Sequence, residues 1–355
     1  MNKGYAMETL FAGLDIGGQS IKGIVLDRAG RMVKQSSRTT PAHDGAQAVL
    51  ETIRQVIADL SEAGKLASVG VGTPGGVDRE GTIVGMSANI DGWYGTRLGA
   101  AIESMAKAPC GVRNDGNIAA YAEWAVRGGS SKALLFMGLG TGIGGGYIED
   151  GRILGGCDDR ALEVGHFIIE PSGRACVCGI DGCSEAYASG PSIGRIASAL
   201  ARGENARLGS LARDAGLESY GSFDDSSLAA RARKQLPINA KEVYEAFAQG
   251  DPLARAVDAV TVLALARTAA TALALLAPDV VALGGGVLQG ASHLPQAIAA
   301  RMNELIYVDG WKHCRFEAAR LSHRAGLLGA AFYAASLVGS SSDVFALASG
   351  PASRD

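Results

Sequence analysis

The sequence predicts an α/β protein built from two related domains, and two observations carry that expectation. A short apolar strand, a glycine turn and a second strand open the chain, and the same pattern returns after residue 132. Around these copies, helical and strand periods alternate, as they do in layered α/β folds.

Residues 11–15 and 21–27 are apolar runs separated by Gly17-Gly18-Gln19-Ser20, which reads as a hairpin. Ala46, Val49, Leu50, Ile53, Val56, Ile57 and Leu60 follow helical spacing, and 66–72 return to a strand. The second copy is a strand over 133–138, the run Gly140-Thr141-Gly142-Ile143-Gly144-Gly145-Gly146, and a strand at 147–148. Each copy ends in an acidic-glycine turn, at 27–30 and 149–151. Residues 252–277 predict a long Ala/Leu-rich helix that stops before Pro278. A strand at 280–283 then runs into Gly284-Gly285-Gly286, and another helix is expected over 293–306. Residues 204–239 are more polar and are expected to be helical decoration without chemistry. Residues 339–355 are small and polar enough to fray, except for Val344 to Leu347.

With 355 residues, 47% hydrophobic and 19% charged, the chain can bury one large or two medium cores. A formal net charge of -3 leaves no basic surplus for a phosphate backbone, which argues against nucleic-acid binding and favours a small-molecule partner. No stretch of about 20 apolar residues is free of charge, and residues 1–10 lack the basic-then-apolar order of a signal peptide. A cytoplasmic protein without membrane association is expected. Thiols stay reduced there, so the six cysteines are not a disulfide framework, and Cys110, Cys157 and Cys314 read as small buried residues.

The other three thiols gather around one imidazole. His166, Cys176, Cys178 and Cys183 lie within one short loop and read as a Cys₃His zinc site. Four protein ligands leave a tetrahedral zinc no vacancy for water, so the metal is structural. Glu163 and Glu185 flank this loop and would be held by it.

Backbone amides approach phosphate only where side chains are absent, so the turns at Gly17-Gly18, Gly140 to Gly146 and Gly284 to Gly286 suggest a nucleotide between domains. Each turn alone could equally close a tight hairpin. Gly140, Gly142 and Gly145 match G-x-G-x-x-G, but a strand follows where a dinucleotide fold needs a helix. No G-x-x-x-x-G-K-[ST] occurs. The acid candidates are Asp15, ending the first strand, and Asp115, between a strand and a helix. Asp115 reads either as a cleft carboxylate or as a helix N-cap. Asn89 reads as a polyol contact or as a turn residue.

Taken together these segments resemble the ROK family (repressors, open reading frames, kinases) of the actin-like ATPase and sugar kinase superfamily. The resemblance rests on Asp15-Ile-Gly-Gly, Gly72-Thr-Pro-Gly-Gly-Val-Asp78, Asn89 to Trp93, Asn114-Asp115, Gly140 to Gly146, Glu163-Val-Gly-His166, Cys176-x-Cys-Gly-x-x-Gly-Cys-x-Glu185 and Leu283-Gly-Gly-Gly286. It runs from about residue 10 to 335. It implies a two-domain actin-like ATPase (ribonuclease H-like) fold that closes an interdomain cleft on ATP, Mg²⁺ and a sugar, usually as a homodimer. The domains would be 8–131 with a helix at 323–338, and 132–322 with the zinc loop at 163–185; 339–355 would be a flexible tail.

Carried over by position, the resemblance makes Asp115 the catalytic base. Gly75, Asn89, Asn114, Glu163, His166 and Glu185 become sugar-binding or sugar-positioning residues, with His166 also a zinc ligand beside Cys176, Cys178 and Cys183. Asp15, Gly17, Gly18, Thr141, Gly142, Gly284, Gly285 and Gly286 become the ATP side. The implied reaction is ATP-dependent phosphorylation of a hexose, glucose to glucose 6-phosphate, with N-acetylmannosamine, N-acetylglucosamine or a cyclitol as alternative acceptors. A sugar-sensing regulator is disfavoured, because Asp15 leaves no room for a preceding helix-turn-helix domain. Three departures stand out. Gln19 and Ser20 replace the usual Thr and its neighbour, Gly76 replaces a common Pro, and Asp158-Asp-Arg-Ala-Leu162 replaces a glycine-rich run.

Overall fold

The structure is a computed structural model that describes residues 9–85, 89–204, 206–306 and 312–354. Residues 1–8, read above for a signal peptide, lie outside them. In chain order the first elements are β1 (Leu10–Ile16), β2 (Ser20–Asp27), β3 (Met32–Thr39), α1 (Ala46–Ser61), β4 (Leu66–Thr73), α2 (Leu98–Ala106), β5 (Cys110–Asn114), α3 (Asp115–Ala125), β6 (Ala133–Leu139), β7 (Ile143–Glu149) and β8 (Arg152–Ile153). They are followed by α4 (Glu185–Ala188), α5 (Gly190–Ala201), α6 (Ser210–Asp214), α7 (Ser227–Arg233), α8 (Ala240–Ala248), α9 (Pro252–Leu276), β9 (Val280–Gly284), α10 (Leu294–Met302), β10 (Arg315–Ala318), α11 (Ala325–Val338) and α12 (Ser341–Ala348).

The duplication read from the sequence is present in the topology. One sheet has the order β3-β2-β1-β4-β5 and the other β8-β7-β6-β9-β10, so each is a hairpin extended by its third strand on one side and two later strands on the other. β1 and β2 pair antiparallel with Asp15 opposite Lys22, while β4 joins β1 in parallel and β5 joins β4. The described residues form two compact units, one within 1–134, 146–162 and 323–355, the other within 135–145 and 163–322. The sequence boundaries differ from this division in giving 132–134 and 146–162 to the second domain and in setting 339–355 apart as a tail. Gly146 explains the difference locally, since a Cβ there would lie 2.5 Å from the Gly116 carbonyl oxygen and 2.9 Å from the Asn117 Cα. The turn read over Gly140 to Gly146 is shorter than expected, since Gly144 to Gly146 are strand residues of β7.

In the first unit, α11 lies against β1 and β4, and two glycines make the approach possible. A Cβ on Gly13 would meet the Ala331 amide nitrogen at 2.4 Å, and one on Gly70 the Ala330 carbonyl oxygen at 2.0 Å. Either side chain would push the helix off the sheet. On α1, Val49, Ile53, Val56, Ile57 and Leu60 form the buried stripe that the spacing predicted. The tail carries α12, started by a Ser340–Asp343 capping box; Val344 and Leu347, at the ends of the apolar stretch excepted from fraying, are buried, and the order extends beyond that stretch on both sides.

In the second unit, α9 begins with the Asp251 side chain accepting from the Ala254 amide at 3.1 Å and ends at Ala277 in the left-handed region before Pro278. Among the described residues α9 is long and apolar enough to cross a bilayer by length and composition, although Arg255, Asp258 and Arg267 keep it from being a charge-free stretch. Most of its residues are buried against α5, α8 and α10, as in a core helix. Cys157 is exposed and Cys110 and Cys314 are half-buried, so only the last two approach the buried role expected of them.

Candidate functional site

The end of β1 and its turn gather several predicted residues in the first unit. Gly17 donates its amide to the Ser20 carbonyl at 3.0 Å, and the Thr40 hydroxyl donates to the Gly17 carbonyl at 2.6 Å. A Cβ on Gly18 would lie 2.9 Å from the Asn89 carbonyl oxygen, so the absent side chain lets the Asn89 loop rest on the hairpin. Asp15 precedes this turn. Burial pushes its carboxyl above the ordinary range, with the Lys22 charge acting against that. The start of α11 reaches the same carboxylate, since a Cβ on Gly326 would stand 3.2 Å from it.

Asp115 opens α3, and the cap of that helix is its neighbour. The Asn114 side-chain oxygen accepts from the Gly116 amide at 2.9 Å, and the Asn114 side-chain nitrogen donates to the Gly75 carbonyl at 3.3 Å. Of the two readings of Asp115, the N-cap therefore belongs to Asn114. The Asp115 carboxylate is exposed, with one oxygen accepting from the Gly116 amide at 2.9 Å. Gly75 has a φ of 92°, a conformation that favours glycine.

The second unit holds the other two glycine turns. Gly140 donates to the Gly142 carbonyl at 2.9 Å, closing the turn between β6 and β7. The Ile143 amide donates to Glu185 Oε2 at 2.8 Å, and a Cβ on Gly142 would come within 2.5 Å of the same oxygen. Gly285, with φ of 92°, packs where a Cβ would meet the Leu139 carbonyl oxygen at 2.3 Å, and Gly284 packs on Phe136. A cavity of about 1010 Å³ is lined by Thr141 and Gly286 together with Gly190, Arg195, Asn239 and Lys241. The last three were not found from the sequence. The available signal was Asn239-x-x-Glu242, which forms a capping box at the start of α8 and fixes Asn239 and Lys241 at the rim. At the end of the polar stretch 204–239, Ile238 and Asn239 line this cavity.

His166, Cys176, Cys178 and Cys183 meet as the sequence predicted, their ligand atoms all within 4.8 Å of one another. Cys176 Sγ lies 3.8 Å from His166 Nδ1 and Cys178 Sγ 3.6 Å from Cys183 Sγ. A tetrahedron with Zn–S bonds of about 2.3 Å has an edge of roughly 3.8 Å, so this donor set fits zinc. Gly179 and Gly182, with φ of 88° and 86°, make the tight loop that turns the thiols inward. Burial, then the neighbouring thiols, push the Cys183 thiol up to about 12, and the charge of a bound cation is what lets such a set ionise. Glu185 Oε1 stands 3.9 Å from Cys176 Sγ, so one carboxylate touches both the thiol loop and the Gly140–Gly142 turn. The Glu163 carboxyl is raised by desolvation, opposed by His166 and reinforced by Glu185.

The ROK family model matches residues 11–336. A glucokinase of Thermotoga maritima is 29% identical over 320 residues, covering 90% of this chain and 95% of that protein. An N-acetylmannosamine kinase of Salmonella heidelberg is 29% identical over 324 residues, covering 90% and 97%. The solved structure of a ROK family glucokinase from Streptomyces griseus, in complex with glucose and AMPPNP, is similar with a TM-score of 0.69 and 31% identity over 92% of this chain and 99% of that one.

Proposed function

The chain belongs to the ROK family and has the actin-like ATPase fold, and we propose that it is an ATP-dependent sugar kinase that phosphorylates a hexose hydroxyl, with glucose as acceptor. The similarity to a glucokinase and to a structure holding glucose and AMPPNP supports both the donor and the acceptor. One observation carries the chemical reading. Asp115 sits at the carboxyl end of β5 with its carboxylate exposed because Asn114 does the capping.

A sugar hydroxyl is too weakly acidic to ionise at neutral pH, so a carboxylate must accept its proton as the bond to the γ-phosphorus forms. Asp115 takes that proton, and the bond between the γ-phosphorus and the β–γ bridging oxygen breaks to release ADP. Thr141 and Gly286, which share the cavity of about 1010 Å³, hold the nucleotide with Arg195 and Lys241 supplying positive charge. Asp15 would hold Mg²⁺, whose charge neutralises the phosphate oxygens. Glu163, His166, Glu185 and Asn89 orient sugar hydroxyls, while Asn114 holds Gly75 and the start of α3.

Zinc would be held by His166, Cys176, Cys178 and Cys183, stabilising the loop that carries Glu185. A cytoplasmic homodimer accompanies this reading on the family resemblance, and six free cysteines suit a reducing compartment. The similarity to an N-acetylmannosamine kinase favours a second reading in which the acceptor carries a 2-acetamido group. Coupled ADP release across glucose, mannose, fructose, N-acetylmannosamine, N-acetylglucosamine and a cyclitol separates the two. The highest kcat/KM on glucose supports the first, and the highest on an N-acetylhexosamine replaces it with the second.

A further inference from the structure

We propose that Asp159 and Arg160 form a clamp that positions Asn114-Asp115 and the Gly75-Gly76 turn for phosphoryl transfer, an inference that rests on the kinase reading above. These residues belong to the run that departs from the family's glycine-rich pattern, and they lie in the same unit as the segments they hold.

β5 is the outer strand of its sheet, so amides on its free side have no strand to pair with. Asp159 takes that role for the last residue of the strand. Its buried carboxylate accepts from the Asn114 amide at 3.0 Å through Oδ2 and pairs with Arg113 at 3.3 Å through Oδ1. The residue that follows Asn114 is the candidate base. A carboxylate that fixes the Asn114 peptide therefore fixes where Asp115 leaves the sheet.

Arg160 holds the second segment. Its guanidinium donates to the Val84 carbonyl, and its stem crosses Gly76, where a Cβ would lie 2.8 Å from Arg160 Cγ. The Asp158 carbonyl accepts from the Val77 amide at 2.9 Å. A side chain at 76 would displace the arginine, so two departures from the family pattern, Gly76 and the 158–162 run, are halves of one contact. The run is also strained, with Asp158, Asp159 and Leu162 at φ of 56°, 55° and 69°. Asn114 closes the arrangement through its side-chain hydrogen bond to the Gly75 carbonyl.

The test compares the parent with Asp159→Ala and Asp159→Asn, measuring kcat, sugar dissociation constant by calorimetry, and thermal midpoint in the same preparations. Asn keeps an acceptor for the Asn114 amide and loses only the charge facing Arg113; Ala loses both. Asp159→Ala should lower kcat by about 10- to 100-fold, the scale of a misplacement near 1 Å, with sugar affinity within about threefold. Asp159→Asn should recover kcat to within about fivefold of the parent. A folded Asp159→Ala enzyme with kcat within twofold of the parent overturns the clamp, even if its midpoint falls. Equal kcat losses in both variants overturn it too, since charge and not the hydrogen bond would then matter. A parent that phosphorylates none of the sugars overturns the kinase reading and the clamp with it.

Discussion

The Glu185 carboxylate accepts the Ile143 amide at 2.8 Å through one oxygen and stands 3.9 Å from Cys176 Sγ through the other. The thiol loop and the Gly140–Gly142 turn therefore share an anchor. Cys178→Ala should reduce bound zinc from about one equivalent per chain to near zero, because a tetrahedral site with three ligands left holds the metal weakly. The sugar and ATP Michaelis constants should rise together as Glu185 loses its support. Elemental analysis beside steady-state kinetics checks this. Less than a tenth of an equivalent of zinc in an active parent would remove the structural metal from the account.

Asp15 links stability to pH. Burial raises its carboxyl above the ordinary value of 3.8, so the folded chain holds this proton more tightly than the unfolded chain does. Ionising it weakens the fold; the penalty is absent at pH below 3.8 and grows as pH rises through that value toward the raised one. Asp15→Asn should then melt higher than the parent at pH 7, with the gap closing toward pH 4, while MgATP-dependent turnover is lost. Thermal melts across pH decide it, and a gap that stays constant with pH would show that the carboxyl is not raised. MgATP should stabilise the parent more than Asp15→Asn, since the ion favours the charged carboxylate.

Leu162 holds φ of 69°, a region where a non-glycine residue costs roughly 1–2 kcal/mol. Leu162→Gly relieves that strain and offsets most of glycine's entropic cost, so the thermal midpoint should change little. Loss of the isobutyl group beside Glu163 should shift the kcat/KM ratio between glucose and the N-acetylhexosamines by ~1–3 kcal/mol, about tenfold or more. An equal fall for all sugars would make Leu162 a support for Glu163 and not a determinant of selectivity.

The duplicated hairpins, the helix α9 and the gathering of His166 with three cysteines were legible because each follows from a local pattern: a glycine turn between apolar runs, a long apolar period, a thiol spacing. The role of individual glycines was not. Gly142 clears a carboxylate, Gly18 admits Asn89, and Gly146 admits α3, and these reasons depend on residues distant in sequence. Nothing local distinguishes the cavity cation Arg195 from a surface one, and for Lys241 the only local signal is the Asn239–Glu242 capping box that starts α8. Asp159 escaped notice as well. In the sequence it is only one residue of the run that replaces a glycine-rich segment, whereas its buried carboxylate faces the backbone of Asn114. In the tail, Val344 to Leu347 stand out as apolar, whereas the Ser340–Asp343 box that extends the helix around them is hidden in a polar composition.

Asp115→Asn tests whether the exposed carboxylate at the head of α3 is the base of a sugar kinase. The substitution keeps the size of the side chain and leaves the Asn114 cap in place. With the preferred sugar and saturating MgATP, kcat should fall by about 10²–10⁴-fold, while calorimetry gives a sugar dissociation constant within about threefold of the parent. Normal sugar binding with kcat within threefold of the parent would contradict the assignment and remove Asp115 from the chemistry.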